Sequence, residues 1–402
     1  MNHKTQPFPD YADRASVLNA QRNLKMARSP HAYVRGNTLK FYEWLNTRTD
    51  KLPHGPAVWI CGDCHIGNLG PLANSEGSVE IQMRDFDQTV IGNPTHDLIR
   101  LGLSLATAAR GSALPGVTTA KMLEEMVHGY EEVFSEDIET LDGKGSKPAS
   151  IQFVLDRSLQ RSWKQLARER IVDTKPTIPL GKRFWPISRR ETLEIKDLFG
   201  QDEVRRIVTS LRDRDDNAEV QVLDAAYWMK GCSSLGRLRF AVLVEVRSKS
   251  AQTRELCLMD VKEAIRAAAP SYPEARLPRN HAQRVVSGAR QLAPFLGERM
   301  LAARLLGRAV FIRELLPQDL KLEIDTLPRE EAMKAARFLA TVVAKGHARQ
   351  LDADLRKKWR AELRRNRTKK LDAPTWLWTS VVELLVSHEG GYLEHCRKYA
   401  LQ

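Results

Sequence analysis

The chain has no stretch approaching the ~20 consecutive apolar residues that a membrane-spanning helix needs. It has five cysteines in 402 residues, too few and too scattered for a disulfide scaffold, so a reducing cytoplasm is the expected home. Met1 to Arg14 has no apolar run after its lysine and does not read as a secretory signal. There is no internal repeat and no low-complexity tract, which argues against a solenoid or a long disordered tail. Acidic residues are the scarcer charge, 50 against 63 Lys and Arg, for a formal net charge of +13. That excess attracts polyanions in general, whether nucleic acid, nucleotide, phosphorylated substrate or anionic membrane, and does not choose among them. The remainder, 42% hydrophobic and 28% charged, is an ordinary globular composition, long enough for two or three structural units.

Periodicity and punctuation give a provisional element order. Asp13 to Arg28 predicts a helix stopped by Ser29-Pro30, and Ala32 to Leu45 predicts a second. Ala57 to Cys61 is a short apolar run, hence a buried strand, and Ser78 to Met83 alternates as a second strand should. Between them Gly62, Gly67, Gly70 and Pro71 have the composition of a tight functional loop. Helices are expected at 96–110 and 121–134, a linker at 141–150, a basic helix at 151–170, a turn or edge strand at 181–188, and mostly helix over 190–212. Three strands follow at 222–229, 237–246 and 255–261, then a helix at 280–292 and a strand at 309–315. From Pro328 onward the pattern predicts helix throughout, at 329–351, 353–366, 374–388 and 390–400.

The sharpest feature is Cys61-Gly62-Asp63-Cys64-His65-Ile66-Gly67-Asn68, followed by Arg84-Asp85-Phe86-Asp87. Phosphoryl transfer from a nucleotide needs a carboxylate for the acceptor hydroxyl, oxygen ligands for magnesium and positive charge on the phosphates. Asp63 stands after one predicted strand and Asp85 after the next, with Asn68 offering an amide oxygen between them. Two adjacent strands ending in acids would deliver all three groups to one edge.

These residues resemble a known pattern. GDCHIGN is similar to the G-D-x-H-x-x-N catalytic loop of aminoglycoside- and choline-kinase-like phosphotransferases, RDFD resembles their metal-binding segment, and NPTHDLIRLGLSLA resembles their following helix entry, with Asp97 as its structural acid. The resemblance implies Asp63 as catalytic base, His65 beside it in a mainly structural role, Asn68 and Asp85 as magnesium ligands, and Asp87 as an accessory ligand. The β-rich nucleotide segment, which precedes the catalytic loop in such kinases, comes after it here. GCSSLGRLRFAVLVE resembles a glycine-rich phosphate loop, with Gly231, Ser233, Ser234 and Gly236 as its binding residues. LCLMDVKEA resembles the strand carrying the nucleotide lysine, which would be Lys262, FIRELLPQDLKLE resembles the hinge strand, and FLATVVAKGHARQ resembles the helix that normally enters the catalytic loop. That order reads as a circular permutation. It is also similar to a bacterial family, the domain-of-unknown-function 2252 family, which shares S-P-x-x-x-x-R-G (here Ser29 to Gly36), G-D-x-H-x-x-N, D-F-D, G-x-x-S-x-G and K-E-A. Cys64, and Leu69 in Asn68-Leu69-Gly70, depart from the family's usual residues without touching the proposed chemistry.

Plainer readings stand beside these. Asp63 and Asn68 can be turn-formers, and Asp85 and Asp87 can cap a loop. Gly231 and Gly236 suit a hairpin turn as well as a phosphate cradle. Arg35 is either a phosphate or carboxylate anchor or a helix-surface arginine. Glu298 and Glu274 are the candidate acids for Lys262. Cys61-x-x-Cys64 lacks further ligands at zinc spacing and lacks a redox-motif context, and reads as an inert thiol pair. Arg356 to Lys370 is strongly basic, a solvated helix face or a contact for nucleic acid or membrane.

The expected fold is α+β, a kinase-like two-lobe fold in circularly permuted order. Residues 1–150 and 326–402 would form the helix-rich catalytic lobe, 151–215 a helical linker or cap, and 216–325 the β-rich nucleotide lobe. The expected function is ATP- and magnesium-dependent phosphoryl transfer to a hydroxyl of a small molecule or protein. The alternatives are nucleotidyl transfer, a pseudokinase or basic nucleic-acid-binding module, and a metal-dependent phosphoesterase.

Overall fold

A computed structural model describes residues 8–111, 114, 116–135, 147–159, 176–210, 214–248, 254–316, 328–365, 367–368 and 371–400. Most of the expected 141–150 linker, residues 160–170 of the basic helix, 211–213, and 317–323 of the hinge-like segment lie outside these.

The chain opens with helices α1 (Arg14–Met26), α2 (Pro30–Gly36) and α3 (Thr38–Asn46). Ser29 caps α2 by accepting from the Ala32 amide, with Pro30 in the first turn. The single helix expected over 32–45 is two, because Asn37 leaves helical geometry at φ −118° and its side chain caps α3 through the Lys40 amide.

Two small antiparallel pairs follow. β1 (Val58–Ile60) pairs with β4 (Val90–Gly92), and β2 (Leu69–Ala73) pairs with β3 (Val79–Met83). The expectation that the Asp63 and Asp85 strands are neighbours is therefore wrong. β2 was hidden by its turn-like Gly70 and Pro71, yet it is wholly buried. The Asn74–Gly77 turn closes the β2–β3 hairpin, with Gly77 at φ +84° and the Asn74 side chain accepting from the Glu76 and Ser78 amides.

A helical body is built from α4 (Thr95–Gly111), α5 (Gly116–Val133) and α6 (Ala149–Leu159), completed by helices from the end of the chain. α4 is buried almost all round, from Thr95 to Ala109. Next come β5 (Phe184–Trp185), α7 (Arg189–Gly200), α8 (Asp202–Thr209), β6 (Glu219–Trp228), β7 (Arg239–Arg247), β8 (Arg254–Glu263), α9 (His281–Leu292), α10 (Pro294–Gly297), β9 (Met300–Leu305) and β10 (Arg308–Glu314). The strands form one antiparallel six-stranded sheet in the order β5-β6-β7-β8-β10-β9. β9 was not anticipated. It is an edge strand joined to β10 through Leu306 and Gly307, both at positive φ, a two-residue hairpin.

One sheet face carries Phe240, Val242, Val244, Cys257, Met259 and Val261 and packs on α7, α8 and Leu18 of α1. The other carries a smaller apolar cluster, including Ala241, Leu243, Leu258, Trp228 and Phe184. By the two-residue alternation of a strand, Arg239, Asp260 and Lys262 stand on this second face.

The last segment is α11 (Arg329–Ala348), α12 (Ala353–Leu363), the short pair β11 (Arg367–Thr368) and β12 (Leu371–Pro374), and α13 (Thr375–Tyr399). The all-helical expectation missed the β11–β12 pair. The two helices expected over 374–400 are one, running through Gly390 and Gly391. α5 and α11 approach closely at Gly129, where a Cβ would lie 2.2 Å from the Arg337 carbonyl oxygen. No helix among the described residues is long and apolar enough to cross a membrane.

Candidate active site

The loop after β1 is held from below by α4. The Asp97 carboxylate, fully buried, accepts the amides of Cys61 (2.7 Å) and Gly62 (2.9 Å). It also meets His347 Nε2 at 3.2 Å, and His347 Nδ1 lies 2.8 Å from the Tyr130 hydroxyl, to which Trp359 donates at 3.3 Å. An imidazole with its proton on Nε2 satisfies every partner in this row. Gly62 makes the turn at φ +75°, against the Gln88 carbonyl, where a Cβ would lie 2.2 Å away.

Asp63 follows. Thr38 donates to its Oδ2 at 2.9 Å, and Arg100 Nε donates to Oδ1 at 2.8 Å while another Arg100 nitrogen donates to the Val34 carbonyl at 2.6 Å. Burial raises the Asp63 carboxyl above the usual range, although Arg100 and Thr38 oppose the shift. Asn68 Nδ2 donates to the Asp63 carbonyl at 2.8 Å, which fixes the amide as the turn-former reading expected and turns Oδ1 away from that bond. His65 is buried, and burial, then Arg35 and Arg100, hold its imidazole well below its usual range. Its Nδ1 has no hydrogen-bond partner among the described residues.

Asp85 and Asp87 lie after β3, at the second face of the large sheet. Lys262 Nζ, at the end of β8, is 3.2 Å from Asp85 Oδ1 and 2.8 Å from Asp87 Oδ2. These are its carboxylate partners among the described residues, and neither Glu298 nor Glu274 takes that role. Burial opposes ionisation of Asp85, but Lys262, Arg313 and Arg239 outweigh it and hold this carboxyl below the usual range. Asp87 shifts upward, through burial and then the neighbouring Asp85 charge, against Lys262. Arg237, just past the glycine loop, stands 3.6 Å from Asp87 Oδ2. Arg284 of α9 donates to the carbonyls of Asp87, Thr89 and Ile265 and so ties the segment's backbone to the sheet side.

Behind these acids lies a second buried cluster. Asp260 takes a two-pronged contact from Arg239, at 2.8 and 2.6 Å, and a third bond from Arg313 at 3.2 Å. Arg313 also donates to the Arg84 carbonyl at 3.0 Å, joining the sheet to the Asp85 segment.

The loop between β6 and β7 makes both of its expected turns, with Gly231 at φ +90° and Gly236 at φ +93°. Ser234 is buried and donates to the Lys230 carbonyl at 3.2 Å, and Ser233 is half-buried. The loop leans on α1, where Lys25 donates to the Gly231 carbonyl at 3.1 Å and a Cβ on Gly236 would lie 2.9 Å from Asn19 Oδ1. It is thus a strand connection and a neighbour of the Lys262–Asp87 pair at once.

Arg35 lies against the Asp63–Asn68 loop. A Cβ on Gly67 would be 2.8 Å from its Cζ, so a larger residue there would have to displace the guanidinium. Cys61 and Cys64 are buried, and hydrogen bonding to Cys61 together with burial pushes the Cys64 thiol well up, as suits an inert pair. Among the described residues no three His, Cys, Asp or Glu side chains converge as a metal cluster. The basic segment after 356 is partly neutralised, since Arg360, Arg364 and Arg367 all gather on the buried Glu131.

Arg100, Thr38, Arg237, Arg239, Asp260 and Arg284 were not singled out from sequence. Arg100 and Asp260 are charged residues inside apolar runs, which is a signal the sequence carries, whereas Thr38, Arg237, Arg239 and Arg284 stand among or next to polar residues and carry none. No curated protein and no solved structure matches the chain. The sequence profile of one family, uncharacterized protein conserved in bacteria (DUF2252), matches residues 14–398. The chain therefore belongs to the DUF2252 family.

Proposed function

We propose that the protein is an ATP- and magnesium-dependent phosphotransferase acting on a hydroxyl acceptor, with a kinase-like fold in permuted order. The observation that carries this reading is the meeting of three distant segments: Lys262 bridges Asp85 and Asp87, beside the loop that holds Asp63 and Asn68. The element order supports it too. A glycine turn between β6 and β7, the lysine strand β8 and the hinge-like strand β10 succeed one another in the order the resemblance implies.

The acids suit magnesium. Asp87 Oδ1 is buried without a hydrogen-bond partner among the described residues while Oδ2 faces Lys262, Asp85 is half-buried, and the Asn68 amide is already oriented. Two carboxylates and an amide oxygen leave room for phosphate and water oxygens, as this ion prefers. Bound magnesium would offset charge on the transferring phosphoryl group.

The protein's own groups do the rest. Lys262 exchanges its aspartate contacts for phosphate oxygens. Asp63, with its carboxyl raised by burial and aimed by Thr38 and Arg100, accepts the acceptor's hydroxyl proton. The acceptor oxygen bonds to the γ-phosphorus as the γ-phosphorus–bridging-oxygen bond breaks, and that electron pair leaves on ADP. Asp97 and His347 keep the loop in place.

The test is nucleotide binding and ATP loss in the full chain, with and without magnesium, in wild type and in Asp85→Ala. Magnesium-dependent binding that this variant weakens is expected, and unchanged binding and turnover would refute the assignment. Product mass decides between an added phosphoryl and an added nucleotidyl group.

A further inference from the structure

The arginines nearest the site almost all face carboxylates: Arg100 faces Asp63, Arg237 faces Asp87, and Arg239 and Arg313 face Asp260. Three half-buried cations on α1 and α2 do not. Arg22, Lys25 and Arg35 have no ion pair with a described residue, and Arg22 Nε is buried without a hydrogen-bond partner.

The three share one place. All of them act electrostatically on the Cys232 thiol in the glycine loop, and a Cβ on Gly36 would lie 2.9 Å from Cys232 Sγ. Arg35 meanwhile covers Gly67, next to Asn68. Its neighbour Val34 accepts Arg100, the same arginine that aims Asp63. The end of α2 thus lies between the catalytic loop and the glycine loop, with its cations gathered there. Holding like charges together in a half-buried place without a counter-ion is unfavourable, and an oxyanion removes that cost.

We propose that Arg35, with Arg22 and Lys25, forms a second anion subsite beside the transfer centre, and that the acceptor is a hydroxyl compound carrying its own phosphate group. This rests on the phosphotransferase reading for the word acceptor, but not for the anion site itself. Lys262 serves the nucleotide from the sheet side. Arg35 stands on the opposite, helical side, on the loop that begins with Asp63, where the molecule that gives up its proton must lie. Arginine is the better choice than lysine for such a role, because its planar fork engages two phosphate oxygens.

Inorganic phosphate and a non-hydrolysable magnesium–ATP analogue are the two probes, each titrated by calorimetry into the full-length wild type, Arg35→Ala, Arg35→Lys, Arg22→Ala and Lys262→Met. Phosphate affinity is expected to fall about tenfold or more in Arg35→Ala, less in Arg35→Lys, and not at all in Lys262→Met. The nucleotide analogue is expected to show the reverse dependence. Absent phosphate binding in wild type, or phosphate binding indifferent to Arg35 and Arg22, overturns the subsite. Equal loss of both probes in Arg35→Ala overturns the acceptor assignment, because the cations then belong to the nucleotide. Arg35-dependent phosphate binding with no nucleotide binding upholds the subsite and overturns the phosphotransferase reading. Thermal unfolding of each variant identifies any that are misfolded, and Arg22→Ala keeps the test open if Arg35→Ala is among them.

Discussion

Asp97→Asn isolates the device that holds the Asp63 loop. The substitution keeps shape and removes one acceptor oxygen. In the native arrangement Oδ1 takes the Gly62 amide, and Oδ2 takes the Cys61 amide and His347 Nε2. An asparagine oxygen placed at Oδ2 keeps two of these donors and turns its NH₂ toward the third, the Gly62 amide. A buried donor left without a partner costs about 1–3 kcal/mol, and the retained bonds lose their charge assistance, so the expected loss is about 2–4 kcal/mol. Asp97 and His347 are both fully buried, so water cannot repair the defect cheaply. Urea unfolding at pH 7 measures the loss, and amide hydrogen exchange at Gly62 locates it. A loss under about 0.5 kcal/mol with unchanged Gly62 exchange would refute the claim that Asp97 holds this loop.

Lys262→Met removes the cation shared by Asp85 and Asp87, so the variant should lose about 1–3 kcal/mol and gain more thermal stability from added magnesium than wild type does; equal gains in both would argue against these acids as an ion site. Asp260→Asn leaves Arg239 and Arg313 without their buried carboxylate, for which about 3–5 kcal/mol of lost stability is expected by denaturant titration. Stability should also fall with acid. Burial holds His96 down at about 4 and His388 at about 3, so the unfolded chain binds more protons below about pH 6.5. Their contribution is complete above that pH and is lost as pH falls toward their folded values, about 3 kcal/mol from His96 alone. Unfolding free energies at pH 7.5, 5.5 and 4.5 check this, and an identical slope in His96→Asn would remove His96 from the account. Glu131→Gln should loosen α12 and the β11–β12 pair, read as faster amide exchange there, because three arginines lose their shared charge.

The sequence by itself determined what depends on near neighbours. Helix α4 follows from its apolar spacing, β7 and β8 from their apolar runs, and the turns at Gly62, Gly231 and Gly236 from a residue that tolerates positive φ. The loop residues Asp63 and Asn68 were legible for the same reason, because their bond closes over five positions. Tertiary structure alone decided partners. Nothing local shows that β1 pairs with β4 instead of standing beside β3, because that choice rests on which faces meet in the core. Lys262 finds Asp85 across 177 positions and His347 finds Asp97 across 250. Such pairs leave no periodic trace in the chain. They form because burying a charge or a buried donor is costly until a complementary group is brought to it, and only the packed sheet and helices fix where that group is.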